Sequence, residues 1–63
     1  SRKYARSLYI VKDVKKGDVV TSKNVRSIRP GFGMHPKHLP IIIGKTFVKD
    51  FTSGTRMEQT LIQ

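Results

Sequence analysis

The sequence predicts one small, mainly β domain with short strands, many turns and minor helical content, arranged as two related halves around a shared core. Three observations predict it. The chain has 63 residues, which allows a single small core and excludes an enzyme built on a large barrel or a doubly wound sheet. A repeat runs through it: Val11-Lys12-Asp13-Val14-Lys15-Lys16-Gly17 returns 37 positions later as Val48-Lys49-Asp50-Phe51-Thr52-Ser53-Gly54. Apolar residues also correspond at Val20/Met57 and Val25/Ile62. Two copies are too few for a solenoid and suit a pseudo-two-fold pair. Finally, Pro40 interrupts the segment His35–Gly44 and rules out a regular four-turn helix there.

The elements follow in order. Each repeat begins with a short strand, ending at Asp13 or Asp50, and turns at Gly17 or Gly54, where a positive φ is expected. A brief extended piece and a small helical turn come next. Thr21 is placed to cap the backbone of Ser22 to Asn24, and Thr55 or Glu58 to do the same before Leu61. Arg26 to Arg29 read as extended, followed by the Pro30-Gly31-Phe32-Gly33 loop. Pro36 suits a first helical position and Gly44 the residue beyond a helix end, so one or two short helical turns are expected between them. Lys45 to Lys49 return as a strand. The expected core is Leu8, Ile10, Val14, Val20, Val25, Ile28, Leu39, Ile42, Phe47, Val48, Phe51, Met57 and Leu61.

Composition narrows the function. Without cysteine there is neither a disulfide framework nor a thiolate metal site. The longest apolar cluster, Leu39 to Ile43, is far short of the roughly 20 residues of a membrane span, and no apolar stretch follows the basic start as in a secretory signal. Beginning with Ser1, the chain reads as a fragment or a processed piece of a soluble protein, with residues 1–7 as a basic linker and 8–63 as the domain.

A net charge of +9 attracts polyanions. The basic residues are scattered, however, with no run of five; Lys15 and Lys16 read as a solvated turn, and Tyr9, Phe47 and Phe51 read as core, not base-stacking aromatics. This argues against nucleic acid.

The most informative segment is Arg29-Pro30-Gly31-Phe32-Gly33. Two glycines separated by one residue let the backbone bend and approach another surface closely. An Arg before that bend suits a carboxylate, phosphate or amide oxygen; on spacing alone, a plain turn with a solvated Arg is the favoured reading. No Gly-Lys-Ser/Thr follows at the spacing of a phosphate-cradling loop, since Gly44-Lys45-Thr46 stands eleven residues beyond Gly33, so the segment is not read as one. His35 and His38 lack further metal ligands nearby and read as surface or helix-capping residues, while Asp13 and Asp50, equivalent in the repeat, read as turn residues. No nucleophile motif or poised carboxylate pair is present, so the chain taken alone does not read as an enzyme.

Three stretches carry a resemblance: Arg6-Ser7-Leu8-Tyr9-Ile10-Val11-Lys12-Asp13-Val14-Lys15-Lys16-Gly17, Asn24-Val25-Arg26-Ser27-Ile28-Arg29-Pro30-Gly31-Phe32-Gly33, and Ile43-Gly44-Lys45. Together they resemble the C-terminal antifreeze-like (SAF) domain of the sialic acid synthase family, over about Arg6 to Ile62. Gly31-Phe32-Gly33-Met34-His35-Pro36-Lys37 look most like the bacterial pseudaminic acid synthases; N-acetylneuraminate synthases typically carry a polar residue where Phe32 stands.

The resemblance implies the β-clip fold of type III antifreeze proteins. It implies a cytoplasmic bacterial parent enzyme that condenses phosphoenolpyruvate with an N-acetylated amino sugar. That parent would carry an N-terminal (β/α)8 barrel holding Mn2+ or Mg2+, with no cofactor in the present domain. It further implies a domain-swapped homodimer in which this domain caps the partner's barrel. Arg29 matches the family's Arg that holds the sugar's acetamido group, and Phe32 beside it is the second candidate substrate-binding position. A free-standing basic module for polyanions or carbohydrates is the alternative. Ice binding, which the fold relatives suggest, conflicts with the charge, and a flagellar or pilus assembly role would leave Arg-Pro-Gly-x-Gly without a purpose.

Overall fold

The computed structural model describes residues 5–63; of the expected linker, residues 1–4 lie outside the described residues. Regular elements are few and short: β1 (Ser7–Ile10), β2 (Val25–Ile28), a 3-10 turn over Pro36–His38, the single-turn α1 (Leu39–Ile42) and a second 3-10 turn over Gln59–Leu61. β1 and β2 form an antiparallel ribbon in which Ser7 faces Ile28 and Ile10 faces Val25. The remaining backbone is joined by isolated bridges.

Those bridges obey the repeat. On the pseudo-axis, Val14 and Phe51 exchange hydrogen bonds of 2.9 and 3.0 Å. Off the axis, Gly17 N–H donates to Phe47 O as Gly54 N–H donates to Ile10 O, and Val20 N–H donates to Lys45 O as Met57 N–H donates to Leu8 O. Each pair maps onto the other by the same shift of 37 residues that relates the sequences. The aspartates follow suit: Asp13 accepts from Ser53 N–H and Asp50 accepts from Lys16 N–H, both at 2.8 Å. Each carboxylate thus caps the turn of the other half. Gly17 and Gly54 sit at φ of 91° and 96°, in the left-handed region where a side chain is strained.

The halves share one core: Leu8, Ile10, Val14, Val20, Val25, Ile42, Phe47, Met57 and Ile62. Phe47 meets Phe51 edge-on, with ring centroids 6.0 Å apart. Several expectations change here. Ile28 lies on the face of the ribbon opposite Val25, away from the core, and is exposed. Leu39, Phe51 and Leu61 only flank the core, and Val48 is half-buried. Ile62, not Leu61, is the buried residue of the last segment, as its equivalence with Val25 requires. β1 ends at Ile10, well before Asp13, and Lys45–Lys49 is no regular strand: only Thr46 and Phe47 make bridges.

The helical turns form as expected, with different caps. Pro36 opens the 3-10 turn, and Nδ1 of His35 accepts from Lys37 N–H at 3.0 Å. Gly44 follows α1 at φ 94°. Thr21 Oγ1 accepts from Lys23 N–H. In the second half neither candidate caps: Glu58 makes no side-chain cap bond, and Thr55 Oγ1 donates to Thr52 O instead.

Candidate functional site

The site is built on the strand pair. Along β1 the residues alternate, so Leu8 and Ile10 enter the core while Ser7 and Tyr9 face the other way. Yet all four are buried, because the 29–33 loop folds back over that second face. Ser7 is 1% exposed and Tyr9 7%. Their hydroxyls have to find partners there, and they find the loop. Tyr9 OH donates to Pro30 O at 2.8 Å, Ser7 Oγ donates to the same oxygen at 3.0 Å, and Gly33 N–H donates to Ser7 Oγ at 3.0 Å. Beyond the loop, Met34 locks into the fold by accepting from Leu8 N–H and donating to Met57 O.

Both loop glycines are there for close approach. A Cβ on Gly33 would lie 2.8 Å from Leu8 O, and one on Gly31 would lie 2.8 Å from the Ala5 Cβ. Both distances are well inside van der Waals contact, as the paired-glycine pattern leads one to expect. The Arg29–Pro30 peptide is cis.

The two sequence-predicted site residues point away from this support. Arg29 is exposed, and its guanidinium is engaged in no hydrogen bond among the described residues. Phe32 is 47% exposed, an unusual state for a large aromatic side chain three residues on. With Ile28, also exposed, they leave one cation and two apolar groups exposed along residues 28–32, a ridge in the chain at the end of β2. Such a ridge can give donors to an acceptor oxygen and apolar contact beside it.

His35 and His38 are not brought to this ridge. His35 caps its turn, and His38 lies with Met34, Ile41, Ile42 and Lys45 along a separate groove of about 660 Å³. No group of three or more His, Asp or Glu side chains among the described residues could hold a metal ion. Sequence reasoning passed over Ser7 as part of the linker and took Tyr9 simply as core. Their alternation with Leu8 and Ile10 was the available signal, since a buried strand with two hydroxyls on one face needs a polar roof.

A family model described as SAF domain matches residues 5–55. The chain belongs to the SAF domain family. The match begins at Ala5, so it takes in the whole of β1 including Ser7. The SAF chain is 46% identical over 59 residues to a pseudaminic acid synthase of Campylobacter jejuni serotype O:2, covering 94% of this chain and 17% of that protein. It is 43% identical over 60 residues to the pseudaminic acid synthase of a second Campylobacter jejuni strain of serotype O:23/36, covering 95% of this chain and 18% of the relative. A pseudaminic acid synthase of Helicobacter pylori is 39% identical over 54 residues, 86% of this chain and 16% of its own. The SAF chain therefore spans about a sixth of the length of the curated relatives it matches. The resemblance seen in the sequence, and the mainly β, pseudo-two-fold SAF fold it implied, both hold.

Proposed function

We propose that this SAF domain is the substrate-capping part of a nonulosonic acid synthase of the pseudaminic type, which condenses phosphoenolpyruvate with an N-acetylated amino sugar and releases phosphate. Arg29 reaches the active site of a partner subunit's (β/α)8 barrel in a domain-swapped homodimer and donates to the sugar's acetamido oxygen. Phe32 packs against the sugar beside it. The observation that carries this reading is the state of Arg29: an exposed guanidinium, engaged in no hydrogen bond among the described residues, on a loop whose backbone is tied down from beneath by Ser7 and Tyr9.

The physics fits. A loop fixed before the ligand arrives loses little freedom on binding, so its hydrogen bond counts for more. The +9 charge of the cap favours an anionic co-substrate through its field. The Mn2+ or Mg2+ that the family resemblance implies would be held by the barrel. The parent enzyme works in the cytoplasm, as the family resemblance implies.

The test is Arg29→Ala in the full-length synthase that carries this domain. A hydrogen bond to a charged donor is worth about 1.5–3 kcal/mol, so kcat/KM should fall by about 10- to 150-fold while the fold is retained. An unchanged kcat/KM removes Arg29 from the site.

A further inference from the structure

We propose that Ser7 and Tyr9 are positioning residues for Arg29, acting through the Pro30 carbonyl. The inference rests on the reading of Arg29 given above and adds to it the part of the fold that aims the side chain.

Two side-chain hydroxyls converge on one backbone oxygen, and that oxygen belongs to the residue following Arg29. A carbonyl has two lone pairs, and both are taken. Ser7 also accepts from Gly33 N–H, so a single hydroxyl holds both ends of the 30–33 bend. Both residues are buried yet stand outside the main apolar cluster, on the other face of β1. Gly31, between the clamped points, and Gly33, at the second of them, put no side chain beneath the loop, and Phe32 between them is exposed. The peptide plane after Pro30 is therefore fixed, and what remains free is the Arg29 side chain. A binding group whose backbone is held by such supporting bonds is pre-organised, and loosening the support costs affinity without removing the group.

The consequence is kinetic. Tyr9→Phe keeps the buried ring and removes only the oxygen. In the full-length synthase it should raise KM for the N-acetylated amino sugar about 3- to 10-fold, the size expected for one neutral hydrogen bond. KM for phosphoenolpyruvate and kcat should stay within about twofold, because an interaction made alike in ground and transition states acts on KM. A variant that merely destabilised the fold would instead lower kcat through the active fraction and leave both KM values alone. In an Arg29→Ala background, Tyr9→Phe should have no further effect, since the side chain it aims is gone.

Three results would overturn the proposal. If Arg29→Ala lowers kcat/KM but Tyr9→Phe and Ser7→Ala leave the amino-sugar KM unchanged, the hydroxyls do not position it and only the reading of Arg29 stands. If Tyr9→Phe has the same effect with and without Arg29, it acts by another route. If Arg29→Ala itself has no effect, the functional reading fails and the positioning role goes with it. An amide spectrum of Tyr9→Phe showing shifts confined to residues near the 29–33 loop verifies that the variant is folded; Ser7→Ala, with the more buried hydroxyl, serves as the second probe.

Discussion

Gly33→Ala is the sharpest test of how the loop is held. The added methyl would stand 2.8 Å from Leu8 O and 3.3 Å from both Met57 N and Ser7 Oγ. Leu8 O cannot simply retreat, because it already accepts from Met57 N–H at 2.9 Å in the middle of the fold. Relief therefore means moving the loop and giving up the Gly33 N–H to Ser7 bond. Forcing a methyl into packed structure costs about 1–3 kcal/mol, and losing one hydrogen bond adds about 0.5–1.5 kcal/mol. Stiffening the unfolded chain returns about 0.4–1 kcal/mol. The net loss is about 1–4 kcal/mol. A domain of this length has only about 3–9 kcal/mol in total. Thermal unfolding followed by circular dichroism should show Tm lower by about 4–30 °C. Gly31→Ala should cost less, since the methyl there meets the Ala5 side chain and backbone near the start of the chain, not a strand carbonyl. A Gly33→Ala protein within about 0.5 kcal/mol of the parent would refute the packing described for this loop.

Other perturbations follow from the same geometry. Asp13→Ala and Asp50→Ala should each cost about 1 kcal/mol in urea unfolding, and by similar amounts, because each carboxylate caps the opposite turn at the same distance. Gly17→Ala and Gly54→Ala should likewise match each other at about 1–2 kcal/mol, through positive φ alone, since neither added methyl meets anything. Phe47→Ala, in the centre of the core, should cost about 3–5 kcal/mol and leave the domain largely unfolded. Titration with a mixed-sequence DNA duplex should show no specific affinity; a polyanion-binding module neutralising about five phosphates would instead give a log K slope near −4.5 against log salt.

The repeat was the most legible part of the sequence. A coincidence of Val, Lys, Asp and Gly at a constant spacing reappears as backbone hydrogen bonds at the same spacing. It did so because the repeated residues are the ones with fixed conformational roles: Gly for the left-handed turns, Asp for the caps. Less legible was which apolar residue of a pair faces inward. Leu61 and Ile62 are chemically alike, and the choice between them depends on a 3-10 turn ending at Leu61. Ile28 read as core because it is apolar in an extended run, but the pleat of the ribbon puts it on the face away from the core. Within the loop, the close approach of the glycines was legible from local sequence. The support by Ser7 and Tyr9 joins residues more than 20 apart, and nothing local to the loop reveals it.

The central claim is that the Arg29 guanidinium serves a ligand held by another subunit. A crystal structure of the full-length synthase with the N-acetylated amino sugar bound tests it most directly. The account predicts Arg29 of one subunit within hydrogen-bond reach, about 2.7–3.2 Å, of the acetamido oxygen in its partner's barrel. A sugar-bound dimer in which that guanidinium is left in solvent, or turned back onto its own chain, would contradict it.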